Sequence, residues 1–452
     1  MLAGQIMQAV PLLRLHRPDS IFAWQFNQAV SSRRFLSDVL SLAEKLPAHP
    51  YVLNLCADRY RFIVVFSAAM LRGQISLLPP NHTPDLINRL SRSYLGLYCM
   101  TDGADGPAGL QTIFYPDLST ENFPEPAMPE IPANQVAAIV FTSGSTGEPM
   151  PNEKTWGAIS QSVTVEAKRL GIYNRGDLTL LGTVPAQHMY GFESTALIAM
   201  QGGVILHAAK PFFPADISAL LHEIPGPRAL VTTPVHLRAL VTNNTALPQL
   251  ELIVCATAPL PRELAIRAEK LYGAPLHEIY GFTEAGQIAS RRTALTDEWR
   301  TFDGLALHQR GGDTYVSGGH VVGELPLSDI IELHSDTTFL LHGRTADLIN
   351  IAGKRTSLAS LNHHLNSIEG VQDGVFFMPE EKAGETARLA AFVVASGLTS
   401  SEILSALRQR IDAIFLPRPL HKVDLLPRNS TGKLTRASLE KLYQQCDKGP
   451  IP

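Results

Sequence analysis

Short runs of almost unbroken apolar residues recur along this chain at 51–55, 75–78, 136–141, 178–183, 204–206, 229–232 and 252–256. Runs of this kind suit strands buried on both faces, as in parallel sheets covered by crossover helices. Between them, apolar residues fall at helical spacing. Leu36, Val39, Leu40 and Ala43 trace one helix, and 62–71 reads as a second that stops at Gly73. Thr83-Pro84-Asp85 opens a third, with a hydroxyl cap and a proline at its first position. Trp156, Ile159, Val163, Ala167 and Leu170 line one face of a fourth, which Gly171 ends. Strand and helix alternate, so the fold class is α/β: mixed, parallel-rich sheets packed with helices.

With 452 residues, 45% of them hydrophobic, the chain exceeds one ordinary core. We expect a large N-terminal domain over 1–344 and a small α+β domain over 345–452. The second domain reads as a helix at 358–368, strands at 374–378 and 389–395, a helix at 401–414 and a loop through Gly432. The net charge of -4, with scattered Lys and Arg, lacks the footprint of a nucleic-acid binder. Cys56, Cys99, Cys255 and Cys446 form no CxxC or Cys/His cluster, which disfavours a disulfide scaffold or structural zinc. No segment approaches the ~18 apolar residues of a membrane span, and a cytoplasmic protein is expected.

Three stretches carry chemistry. The run 136–141 leads into Thr142, Ser143, Gly144, Ser145, Thr146 and Gly147. The two glycines leave backbone N–H groups uncrowded and the hydroxyls add donors, a combination able to wrap phosphate oxyanions. The second stretch, Tyr280-Gly281-Phe282-Thr283-Glu284-Ala285-Gly286, follows a strand-like 275–279. Tyr280 could stack on a nucleobase, Thr283 could donate to a phosphate, and Glu284 is a hard oxygen ligand for Mg²⁺ carried on a nucleotide. The third places Lys433 behind the turn Ser430-Thr431-Gly432, where a compact positive charge could be delivered to a reaction centre.

Together these stretches resemble the AMP-forming acyl and aryl acid ligases, the adenylate-forming superfamily, from about residue 30 to the C-terminus. By that resemblance 141–149 is the phosphate loop, Tyr280 to Gly286 the YGxTE-type motif, Asp329 the ribose-binding aspartate and Arg344 the arginine before the hinge. The catalytic set would be Lys433, Thr283, Glu284 and His188. ATP and Mg²⁺ are the implied cofactors, with Ala258 and Pro259 also at the nucleotide. The resemblance further implies that the C-terminal domain is a mobile lid that rotates near 344–348 between adenylation and thioester formation.

The acid pocket would be built from His188, Met189, Tyr190 and Gly191, with Ala256, Thr257, Ala258, Gly281 and Phe282 opposite. Ligases of ortho-hydroxylated benzoates often carry Asn where this chain has Met189, so an aryl acid without that hydroxyl is expected. No Asp stands between His188 and Met200 to hold an α-ammonium, with Glu193 as the lesser alternative. The chain departs from the family at Met150, where a loop lysine is usual. Either Lys154 reaches back or that charge is dispensed with. At the hinge, Ala346 takes a position commonly Asp or Lys. The N-terminal domain is shorter than usual. These features resemble stand-alone ligases that load a hydroxybenzoate onto an acyl carrier protein for aryl polyene pigments; CoA is the alternative acceptor. A non-catalytic adenylate-binding member is the competing reading, opposed by Glu284 and Lys433. A P-loop kinase would need lysine where Glu148 stands, and no G-x-S-x-G elbow is present.

Overall fold

The computed structural model describes residues 8–79, 81–118, 127–143, 149–344, 348–351, 354–379, 388–429 and 432–447. Contacts divide the chain into two units. One holds 1–296, 300–306 and 317–325; the other holds 297–299, 307–316 and 326–452.

The first unit contains two large sheets, besides a two-stranded pairing of Ala9–Pro11 with Glu130–Pro132. A six-stranded sheet runs in the order Pro149–Thr155, Val136–Ser143, Ile75–Leu78, Tyr51–Asn54, Leu97–Thr101, Thr112–Phe114. The apolar runs form its parallel middle. Leu53, Leu77, Ile139 and Phe141 pack there against Leu86, Ile87 and Leu90 of the helix Pro84–Ser93. The expected hydroxyl cap of that helix does not form. Thr83 Oγ1 donates to Asn81 Oδ1 at 3.0 Å, leaving the proline to start the helix.

The expectation of strand, loop and helix after residue 136 needs one correction. A further strand, Pro149–Thr155, returns antiparallel to Val136–Ser143, pairing Met150 with Thr142 and Lys154 with Ala138, before the helix Trp156–Arg169 begins. It lies at the sheet edge, where proline is tolerated because one side of the strand has no ladder to supply. Thr155 then caps the helix by accepting the Ala158 N–H.

The second sheet passes from Gly286–Arg291 through Leu276–Phe282, Leu252–Cys255, Arg228–Thr232, Thr179–Gly182 and Ile205–His207 to Ile21–Gln25 and Gln28–Ser31. Its interior strands are parallel. Leu181, Leu230 and Ile253 are fully buried against Ile217, Leu237 and Leu264 of the covering helices. Arg59 is buried to the same degree. It donates to the carbonyls of Gly182, Val184, His207 and Ala209 at 2.8–3.1 Å, closing the carboxyl ends of two strands and fixing the start of the loop that follows residue 182. Burial lowers its pKa to about 10.

In the second unit, Asp329–Leu333 and Thr338–Arg344 form a hairpin. Further on, Asp373–Phe377, Ala390–Val394 and Leu420–Lys422 make a sheet, antiparallel then parallel. Helices Leu358–Asn366 and Ser400–Arg408 pack on it through Leu361, Leu365, Ile403 and Leu407. The helix expected through Ile414 stops at Arg408, and 413–415 form a short 3₁₀ turn. Among the described residues, the apolar clusters of this sheet draw on residues between Ile349 and Cys446, so this segment carries a core of its own.

Candidate active site

Parallel α/β sheets expose their loops for chemistry at the carboxyl ends of the strands. In the first unit the sequence-marked residues gather there. His188 and Met189 follow the strand Thr179–Gly182, Ala256 to Pro259 follow Leu252–Cys255, and Tyr280 to Glu284 end Leu276–Phe282. One strand, Arg228–Thr232, lies between the first two, so their loops emerge about 10 Å apart, the width of two strand spacings.

His188 is half-buried and caps the turn Met189–Gly191, with Nδ1 accepting the Tyr190 N–H at 3.3 Å. Tyr190 is buried, and its hydroxyl donates to Thr232 O at 3.2 Å and Val254 O at 3.0 Å, fixing the pocket segment to two strand ends. A Cβ on Gly191 would lie 2.1 Å from Pro185 O, so only glycine fits that turn. The chain then continues as a π-helix, Phe192–Leu197, a local form often retained at functional sites.

Opposite this segment, Thr257 holds φ at +85°. A β-branched residue in that region is strained, and such strain persists where the surroundings over-determine it. The surroundings are visible: buried Glu278 accepts the Leu260 N–H at 2.9 Å, Arg291 Nε at 2.8 Å and the Thr293 hydroxyl at 2.7 Å, which locks the 256–260 loop to the sheet. Ala256 is buried, Thr257, Ala258 and Phe282 are half-buried, and Pro259 and Gly281 are exposed.

The strand bearing Tyr280 carries a bulge between Tyr280 and Gly281, which re-aims the residues after it. Tyr280 and Thr283 are half-buried, and Glu284 is exposed on the turn to Gly286–Arg291. Beneath this turn lies a polar cluster. Lys154 Nζ donates to the backbone carbonyl of Glu284 at 2.6 Å. Glu193 Oε1 stands 3.4 Å from Ser162 Oγ and occupies the space where a Cβ on Gly286 would lie 2.8 Å away. With its amide oriented to satisfy both neighbours, Gln287 donates to Glu166 at 3.0 Å and accepts from the Ser194 hydroxyl at 2.7 Å.

Burial pushes the Glu166 carboxyl up to about 8 and the Glu193 carboxyl up to about 7, the latter opposed by the Lys154 charge. The Lys154 pKa is lowered by burial against the pull of Glu193 and Glu284. Burial also brings His320 down to about 4, so its imidazole is neutral at pH 7. Glu193 is buried beside a lysine of the protein's own interior.

Of the phosphate-loop residues, Gly144, Ser145, Thr146 and Gly147 lie outside the described residues. Thr142 and Ser143 are described as backbone, in register with Met150 and Pro149.

In the second unit, the fifteen-residue spacing of Asp329 and Arg344 is that of a hairpin that sets them directly opposite each other. The hinge position Ala346 lies outside the described residues. Lys433 is exposed on a closed turn: its N–H donates to Asn429 Oδ1 and its carbonyl accepts the Asn429 N–H, both at 2.9 Å. Arg428 donates to Gly432 O at 2.8 Å and makes a two-pronged contact with Asp373 at 2.9 Å, tying the lysine turn to the small sheet. Ser430 and Thr431 lie outside the described residues. Among the described residues, no three His, Cys, Asp or Glu side chains group as a metal cage. No described helix is long and apolar enough to cross a membrane.

Comparison with known proteins bears on this arrangement. The family described as AMP-binding enzyme matches residues 64–308. A 4-coumarate–CoA ligase of Halorhodospira halophila is 32% identical over 312 residues, 65% of this chain and 73% of that protein. A probable 2-succinylbenzoate–CoA ligase of Mycobacterium tuberculosis is 24% identical across 69% of this chain and 85% of its own length. The o-succinylbenzoate CoA synthetase of Bacillus subtilis, solved with ATP and magnesium, superposes with a TM-score of 0.81 at 20% identity, covering 96% of this chain and 100% of that one.

Proposed function

The chain belongs to the AMP-binding enzyme family and is an AMP-forming acid–thiol ligase, and on that premise we propose that it activates an aryl carboxylic acid of the hydroxybenzoate or hydroxycinnamate kind. The observation that carries the choice of acid is the pocket segment. Met189 on the rigid 188–191 turn offers no polar group to an ortho-hydroxyl, and the loop holding Thr257 emerges about 10 Å away across a single strand, a spacing that admits an aromatic ring between the two.

The carboxylate oxygen attacks the α-phosphorus of ATP, the bond to the bridging oxygen breaks, and pyrophosphate leaves with the electron pair. A thiolate then attacks the carbonyl carbon of the acyl-adenylate, and AMP departs. Thr142 to Gly147 hold the phosphates, Tyr280 packs on the base, Asp329 takes the ribose and Arg344 adds a cation at the hinge. Lys433, on a turn held by Arg428, offsets the negative charge of carboxylate and α-phosphate during attack. Holding the two anions in line supplies up to ~7–11 kcal/mol where the geometry is favourable. An exposed carboxylate next to a hydroxyl fits Mg²⁺, which keeps waters and phosphates as most of its ligands, so Glu284 with Thr283 would hold it. When bound there, the metal would supply positive charge against the departing pyrophosphate. The core confined to 349–446 supports a C-terminal lid over 345–452 that rotates between the half-reactions. The four free cysteines fit a cytoplasmic enzyme.

The acceptor is the thiol of phosphopantetheine, and its carrier divides the reading. The relatives named above are CoA ligases, which supports CoA. The short N-terminal domain does not discriminate, since the Bacillus synthetase is covered over its full length. The Pro149-Met150 departure keeps an acyl carrier protein of pigment synthesis as the second reading. Thioester formation from 4-hydroxybenzoate should be compared with CoA and with a phosphopantetheinylated carrier protein; the acceptor giving the higher kcat/KM identifies the carrier.

Substituting Met189→Asn should raise the use of salicylate relative to 4-hydroxybenzoate by about tenfold, the worth of one hydrogen bond to a buried group. An unchanged ratio of their kcat/KM values would remove the pocket assignment.

A further inference from the structure

The lysine usually found in the phosphate loop is replaced here by Met150, and Lys154 stands at the far end of the returning strand Pro149–Thr155. That lysine is 7% exposed, and its ammonium is given to the carbonyl oxygen of Glu284 rather than to a carboxylate. It links the strand leaving the phosphate loop to the turn bearing the proposed metal ligand, residues far apart in sequence and on different sheets.

We propose that Lys154 is a positioning residue for MgATP: it fixes the Thr283–Glu284 turn from beneath and ties it to the strand that follows the phosphate loop. The inference rests on the reading of Glu284 as a Mg²⁺ ligand.

Three observations carry it. The contact is made to backbone, so it sets the height of the turn while leaving the Glu284 side chain exposed to a ligand. The same turn is held a second time by Glu193, whose carboxylate lies against Gly286, a glycine at φ +82° with no room for a Cβ. A third hold comes from Gln287, fastened through its amide to Ser194 and Glu166. Lys154 is the one cation in this described buried group, its charge set against Glu193, and removing it would leave that buried carboxylate without a countercharge. Loss of an outer group of this kind typically costs about 10–100-fold in metal affinity or activity, and a group that only sets the height of a ligand-bearing turn acts on affinity.

The test uses the full-length enzyme and the pyrophosphate-release rate against Mg²⁺ at fixed ATP and against MgATP. Lys154→Met is expected to raise both half-saturation values about tenfold, with kcat held within about threefold. Because the single variant strands Glu193, Lys154→Met combined with Glu193→Gln is measured beside it. The pair is expected to regain the thermal midpoint of the parent while keeping the raised half-saturation values. A folded double variant with parental Mg²⁺ and MgATP dependence would overturn the proposal, as would a loss confined to kcat. Glu284→Gln run in parallel separates the two claims. A shifted Glu284→Gln with silent Lys154 variants overturns the positioning role alone, whereas a silent Glu284→Gln removes the metal assignment and this proposal together.

Discussion

Lys433→Ala is expected to lower acyl-adenylate formation by on the order of 10²-fold or more, about 2.7 kcal/mol of transition-state stabilisation, with a smaller effect on thioester formation from preformed adenylate. The first half-reaction brings a carboxylate against a polyphosphate, and the charge that builds there has to be met by a cation placed in advance. Lys433 is exposed, and its backbone is closed on Asn429 while Arg428 anchors the turn to Asp373. The ammonium is therefore carried on a flexible four-carbon stem from a fixed base. Trapping the adenylate with hydroxylamine measures the first step, and synthetic adenylate with the thiol measures the second. Equal losses in both, or near-parental hydroxamate yield, would contradict the assignment. Asp373→Ala, which unties the base of the turn without touching the ammonium, should show the same bias toward the first step at a smaller amplitude.

Glu284→Gln is expected to raise the Mg²⁺ needed for half-maximal pyrophosphate release by about 10–100-fold while protein stability stays within about 0.5 kcal/mol of the parent. The exposed carboxylate sits on a turn whose backbone is held by buried groups, so neutralising it removes a hard ligand without disturbing packing. Gln keeps the shape and one oxygen but loses the charge. A metal titration that superposes on the parent's would end the role of Glu284.

Much of the framework was legible in the sequence because burial leaves a direct mark on composition. The parallel strands appeared as apolar runs, since both faces of such a strand meet helices. Asp329 and Arg344 were legible only through the family resemblance; the hairpin that places them side by side is a finding of the structure. The strand Pro149–Thr155 left no such mark: at a sheet edge, Pro, Asn, Glu and Lys suffice, and nothing apolar is required. The hydroxyl cap at Thr83 failed for a related reason, because a nearby Asn81 competes for the same hydroxyl.

At the site, the residues that would touch ligand were readable as motifs, and those that hold them were not. Glu278 reads as one more polar residue on the way to Tyr280, yet it holds the 256–260 loop through three hydrogen bonds. The partnership of Lys154 with the Glu284 carbonyl, and of Arg428 with Asp373, joins residues distant in the chain. Such pairings are fixed only once the strands have chosen their neighbours. Thr257 goes further, since local preference argues against a β-branched residue at φ +85°, and only the surrounding fold imposes it. The one cue available was Glu193, a lone carboxylate in the otherwise mostly apolar stretch 189–200, which calls for a partner once buried.

Carboxylate-dependent exchange of pyrophosphate into ATP, measured without any thiol over a panel of aryl, fatty and amino acids, tests the central claim most directly. The expected result is Mg²⁺-dependent exchange greatest with aryl acids lacking an ortho-hydroxyl, such as 4-hydroxybenzoate and 4-coumarate, together with a detectable acyl-AMP. Exchange that is absent with every acid, or greatest with α-amino acids, would contradict it.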